Sequence, residues 1–204
     1  DVLGSRGLGD VYKRQLLDRV DSEHLSGVSV REDSYHYITK DRDVAIITLF
    51  LGTGIRISEL VGLNFEDFDF NSNSFTVTRK GGNRTTLYFS DEIAVAIKNY
   101  CAYLEQQISD QTEFGKKIEN QSALFYSIQG KRISVRAVEN LVKKYSKHIS
   151  PLKKITPHKL RSTFGTELYR NTQDIYVVAA VLGHKDINTC LLYTSPSPRD
   201  PKTS

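Results

Sequence analysis

Five basic or imidazole side chains stand where elements of structure should begin or end. Arg56 follows the turn Gly52-Thr53-Gly54, and Lys80 precedes Gly81-Gly82. His158 and Arg161 are three apart at the start of a helical pattern, and His184 follows the glycine that stops another. Brought together, such groups could stabilise a dianionic or pentacoordinate phosphorus electrostatically, with no metal needed. The planar fork of arginine suits two phosphate oxygens at once. Other chemistries lack their motifs. Gly81-Gly82 has no Walker spacing, no HExxH or paired cysteines suggest a metal, and no nucleophile elbow places a Ser/His/Asp set. Taken singly, each cation has a blander reading. Arg56 could simply pair with Glu59, Lys80 could be a solvated turn lysine, His158 a first-turn residue and His184 a helix cap.

The elements that must position these groups can be read from period and punctuation. Thr39 is a candidate N-cap for a helix through Val44, Ile46, Ile47, Leu49 and Phe50, whose lack of a polar face predicts a central position. After the glycine turn, Ile57, Leu60 and Val61 mark the buried side of a second helix, with Arg56 and Glu59 on a common face. Phe75–Arg79 and Thr85–Phe89 read as a hairpin joined by Lys80-Gly81-Gly82-Asn83. Ser90 opens a helix with the stripe Ile93, Ile97, Cys101 and Leu104; Leu124–Ser127 is a short strand or extended piece; Ser134 opens a helix burying Val138, Leu141, Val142 and Tyr145. Thr156-Pro157 is an N-cap followed by proline at the first helical position, leading a helix with Leu160, Phe164 and Leu168 inward. Asp174 caps the last helix and Gly183 ends it. The expected architecture is mainly α with a small antiparallel β-sheet.

The chain has 204 residues, a net charge of +4 and 39% hydrophobic residues, enough apolar content for a packed core. No apolar run approaches the roughly 18 residues of a membrane span. The two ends read differently from the middle. Asp10–Gln15 can be encoded by GATGTGTATAAGAGACAG. The reverse complement, read one base in, encodes Cys-Leu-Leu-Tyr-Thr and the start of Ser, which is Cys190–Ser195. Both ends resemble translated sequencing-adapter sequence. The expected organisation is therefore an adapter-like segment over 1–15, the remnant of a linker over 16–38, a domain over 39–189 and an adapter-like tail over 190–204. The middle then holds 23 basic against 21 acidic side chains and the single cysteine Cys101. With a charge so near neutral, any nucleic-acid function must rest on a local site.

GTGIRISELVGL, RKGGNRTTLYF, TPHKLRSTFGTEL and VLGHKDINT, in this order, resemble the catalytic domain of tyrosine recombinases, closest in feel to Xer-type and integrase-like members of Gram-positive bacteria. The resemblance covers about Asp41 to Thr189. It implies the DNA breaking-rejoining fold of that family and site-specific DNA recombination through a 3′-phosphotyrosyl intermediate, without cofactor or metal. Arg56 and Arg161 match the arginines that grip the scissile phosphate. Lys80 matches the hairpin lysine that protonates the leaving 5′-oxygen, His158 the HxxR histidine of proton transfer, and His184 the LGH histidine that hydrogen-bonds the phosphate. The implied partners are duplex DNA and further recombinase protomers, a tetramer on DNA, with no membrane and a cytoplasmic location. The family nucleophile should lie nine or ten residues beyond the LGH histidine. Tyr193 has that offset but falls in the adapter-like stretch, behind an untypical Leu191-Leu192 lead-in. The expectation is a fragment lacking its native nucleophile segment and its N-terminal clamp domain. Two alternatives are a non-catalytic DNA-binding module of the same fold and a type IB topoisomerase relative.

Overall fold

The computed structural model describes residues 14–20, 30–79, 81–118, 122–147 and 155–184. These include seven α-helices, with α2 central: α1 (residues 14–20), α2 (Val30–Thr53), α3 (Ile57–Gly62), α4 (Asp91–Ser109), α5 (Val135–Ser146), α6 (Pro157–Thr172) and α7 (Ile175–Leu182). A three-stranded antiparallel sheet, β1 (Phe68–Asp69), β2 (Ser74–Thr78) and β3 (Arg84–Tyr88), in the order β1-β2-β3, sits between α3 and α4 in sequence. The mainly α architecture with a small antiparallel sheet is as expected.

α2 forms the axis of the core. Ala45, Ile46, Ile47, Leu49 and Phe50 are fully buried, so its second half is enclosed on every side, and it packs against both α4 and α6. The helix begins at Val30, ten residues before the Lys40 start that a Thr39 cap implies, so Thr39 lies inside it and is no cap. No proline or glycine stands between Gly27 and Gly52 to stop it. The stretch read as linker is likewise partly core. Leu16 and Val20 of α1 are fully buried, whereas Arg14 and Gln15 are exposed.

The hairpin is found one residue earlier on each strand than expected, with Phe75 opposite Leu87 and Val77 opposite Thr85. The unforeseen β1 exists through its partner: Phe68 lies opposite Phe75, their rings stacked at 4.9 Å, within a cluster completed by Phe70 and Phe89. Residues 124–127 form no strand. That region makes two isolated bridges, Asn64 with Ala123 and Tyr126 with Arg132. Arg132 staples it to α3 by donating to the carbonyls of Val61 and Leu63. The expected caps mostly hold. Ser134, Thr156 and Asp174 accept backbone N–H bonds, whereas Ser90 makes no side-chain cap bond. The adapter-like stretches 1–13 and 190–204 lie outside the described residues. None of the described helices is long and apolar enough to cross a membrane.

Candidate phosphate site at the end of α7

The carboxyl end of α7 gathers most of the singled-out residues. Gly183 takes φ 64°, the left-handed turn that closes a helix, and the N–H groups of Gly183 and His184 return to the carbonyls of Ala180 and Ala179. That leaves three successive carbonyls, and each takes a different guanidinium. Arg79 Nη2 donates to Val181 O at 2.7 Å, Arg161 Nη2 to Leu182 O at 2.5 Å, and Arg56 Nη2 to Gly183 O at 3.0 Å. Exposed helix-end carbonyls carry partial negative charge, so they hold cations in a fixed place.

Each arginine comes from a different element. Arg56 is the N-cap of α3, reached through Gly54 at φ 61°, where any Cβ would strike Phe164 and Leu182. Glu59 orients it: one carboxylate oxygen accepts the Arg56 backbone N–H at 3.0 Å, the other accepts Nη1 at 2.8 Å. This is half of a capping box: Glu59 at N3 accepts the N-cap N–H, while Arg56, with only donor nitrogens, returns no side-chain cap bond. Arg161, in the second turn of α6, is 6% exposed and also donates through Nη1 to Gly54 O, tying the glycine turn to α7. Its face of α6 is an inward one, shared with the buried Gly165 four residues on.

His184 stands directly after these carbonyls. Burial, and then the charges of Arg161, Arg56, Arg79 and His158, push its pKa below the ordinary 6.5 and favour the neutral ring. His158 is exposed in the first turn of α6 and contributes to that push, so it belongs to the same neighbourhood. Lys80 and Tyr193 lie outside the described residues. Of the six residues proposed from sequence, the structure thus gathers Arg56, His158, Arg161 and His184.

Sequence reasoning missed Arg79. Its signal was the period of two: Phe75 and Val77 face the core along β2, and Arg79 continues their side. Its side chain is 13% exposed, and Nε lies 3.9 Å from Glu59 Oε1, so Glu59 is shared between Arg56 and Arg79. Burial pushes the Arg79 pKa down, with Glu59 opposing and Arg56 adding to the shift. Three guanidiniums, two of them sharing the single carboxylate of Glu59, leave the cluster strongly cationic. Among the described residues no group of His, Cys, Asp and Glu could hold a metal ion. The arrangement can bind and polarise a phosphate diester.

Residues 32–199 match the phage integrase family. The chain is 37% identical over 166 residues to a tyrosine recombinase XerC of Thermodesulfovibrio yellowstonii, covering 81% of this chain and 54% of that protein. It is 34% identical over 197 residues to a tyrosine recombinase XerS of Lactococcus lactis, covering 95% of this chain and 52% of the relative. The chain therefore spans about half the length of these relatives. In fold it resembles the crystal structure of XerA recombinase, with a TM-score of 0.73 at 24% identity, covering 95% of this chain and 61% of that one. It also resembles a XerH site-specific recombinase bound to a difH substrate, with a TM-score of 0.71 at 21% identity and coverages of 95% and 51%. Matched over most of its length and sharing that fold, the chain belongs to the phage integrase family, as part of a tyrosine recombinase catalytic domain.

Proposed function

We propose that this domain cleaves and rejoins duplex DNA as the catalytic part of a site-specific recombinase. The observation that carries the reading is the gathering of Arg56, Arg161 and His184 at the end of α7. In the proposed reaction a tyrosine oxygen attacks the scissile phosphorus, a 3′-phosphotyrosyl bond forms and the 5′-oxygen leaves. Arg56 and Arg161 hold the non-bridging oxygens, where the charge of the transition state develops. A neutral His184 donates one hydrogen bond to the phosphate without titrating near neutral pH. His158 moves the proton of the nucleophile, and Lys80 supplies one to the leaving oxygen. Reversal by another 5′-hydroxyl rejoins the strand, so the bond energy is conserved and no nucleotide or metal takes part. Further protomers assembling on DNA, as a tetramer, and a cytoplasmic setting go with this reading. So does the adapter-like origin of both ends, with the domain extended at its start beyond 39 to take in α1 and the whole of α2.

Binding to a fluorescent duplex tests it. Affinity should fall steeply as salt rises, because phosphate contacts release counterions. Arg56→Ala combined with Arg161→Ala should weaken binding at every salt concentration. A flat salt response, or unchanged binding by the double variant, would refute the reading.

A further inference from the structure

The role of Arg79 goes beyond the set of phosphate-gripping residues. Three facts define its position. It ends the inward face of β2, its backbone N–H donates to Asn83 O at 2.8 Å, and its own carbonyl accepts from Gly82 N–H at 3.0 Å. Arg79 therefore forms the base of the hairpin turn, one residue before Lys80. Its guanidinium nevertheless reaches α7, about a hundred residues later in the chain, and bonds Val181 O at 2.7 Å. It also lies against Gly183 so closely that a Cβ there would overlap it. No hydrogen bond satisfies its buried Nε, which faces Glu59 at 3.9 Å.

These contacts join the hairpin, α3 and α7 through one side chain. A neutral side chain could fill the space. Only a cation is attracted at once by a helix-end carbonyl and by the shared carboxylate. We propose that Arg79 is a positioning residue: it locks the hairpin base to the carboxyl end of α7, so that His184 and the Arg56 and Arg161 guanidiniums are presented to one phosphate. Its contacts are with the chain itself: Nη2 bonds Val181 O and Nε faces Glu59. This rests on reading the cluster as a phosphate site, and the geometric lock can be measured without DNA.

The test uses the 204-residue chain with Arg79→Ala, Arg79→Gln and Arg79→Lys. Amide resonances of residues 181–184 report the lock, titration of the His184 ring reports the local charge, and duplex affinity reports the phosphate site. In Arg79→Ala the 181–184 amide signals should shift and broaden. The His184 midpoint should rise toward its ordinary value, and duplex affinity should fall. Arg79→Lys should return the amide pattern, the His184 midpoint and the affinity toward those of the parent chain. Arg79→Gln fills the same space without the charge and should fail to restore them. Equal rescue by Gln and Lys would reduce Arg79 to packing and overturn the proposal. So would unmoved amides in Arg79→Ala. If Arg79→Ala does not fold, the Gln and Lys pair decides alone. Should the parent chain not bind duplex at all, the DNA reading fails, while the amides still judge the lock.

Discussion

Replacing Glu59 by glutamine should separate the electrostatics of the cluster from its shape. The carboxylate side chain is 4% exposed and serves three groups: the Arg56 N–H, the Arg56 guanidinium at 2.8 Å and the Arg79 Nε at 3.9 Å. Glutamine keeps the volume and one acceptor oxygen, so the amide can preserve either the cap or the guanidinium bond, not both. Charge-assisted hydrogen bonds contribute roughly 1.5–3 kcal/mol each, and stripping one partner from a fully buried ion pair costs about 3–5 kcal/mol. The Arg56 side chain is 34% exposed. Solvent therefore relieves part of its charge, and the lower end applies: a loss of about 2 kcal/mol. Glu59→Ala also removes the cap, worth about 1 kcal/mol more. For a domain of this size, 2 kcal/mol corresponds to a fall in Tm of roughly 4–8 °C. Circular dichroism melts of the parent chain and both variants provide the assay. A Glu59→Gln melt within about 1 °C of the parent would show that the three cations need no counter-charge, and the electrostatic account of the cluster would fail.

Gly183→Ala should destabilise the chain by about 2–3 kcal/mol in urea unfolding, through left-handed strain and displacement of the Arg79 guanidinium. Because the folded His184 pKa lies below its unfolded 6.5, the unfolded chain binds the extra proton as pH falls through 6.5. Its contribution to stability is thus full above 6.5 and declines on acidification until the folded ring also protonates. Urea midpoints measured from pH 7.5 down to 5 should show a smaller decline in His184→Gln than in the parent. An identical decline would remove His184 from the cationic neighbourhood. On a nicked suicide duplex the chain should bind but form no covalent protein–DNA band, and a band abolished by Tyr193→Phe would make Tyr193 the nucleophile.

Punctuation made the site legible, and the site's packing was not. Gly54, Gly183, Thr156-Pro157 and the Gly81-Gly82 turn fix backbone direction by local chemistry, so the residues beside them could be placed at element ends from sequence. The fully apolar run in α2 announced a central helix for the same reason. Arg79 escaped because a charged residue at a turn reads as solvent-facing. Only its register with Phe75 and Val77 points inward, and the carbonyl it meets is remote in sequence. The start of α2 was obscured by a polar stretch with no period. β1 is set by the rings of Phe68 and Phe75 finding each other rather than by any local propensity. Glu59, by contrast, was readable as the orienting partner of Arg56 from spacing alone.

The three guanidiniums bonded to Val181, Leu182 and Gly183 have a consequence for the DNA contact proposed above. A free arginine side chain carries about 2 kcal/mol of rotamer entropy that a ligand must ordinarily remove. In this domain that freedom is surrendered when the chain folds, because helix-end carbonyls hold each fork before any phosphate arrives. Encounter with DNA then resembles docking onto a rigid surface more than the capture of a ligand by mobile side chains.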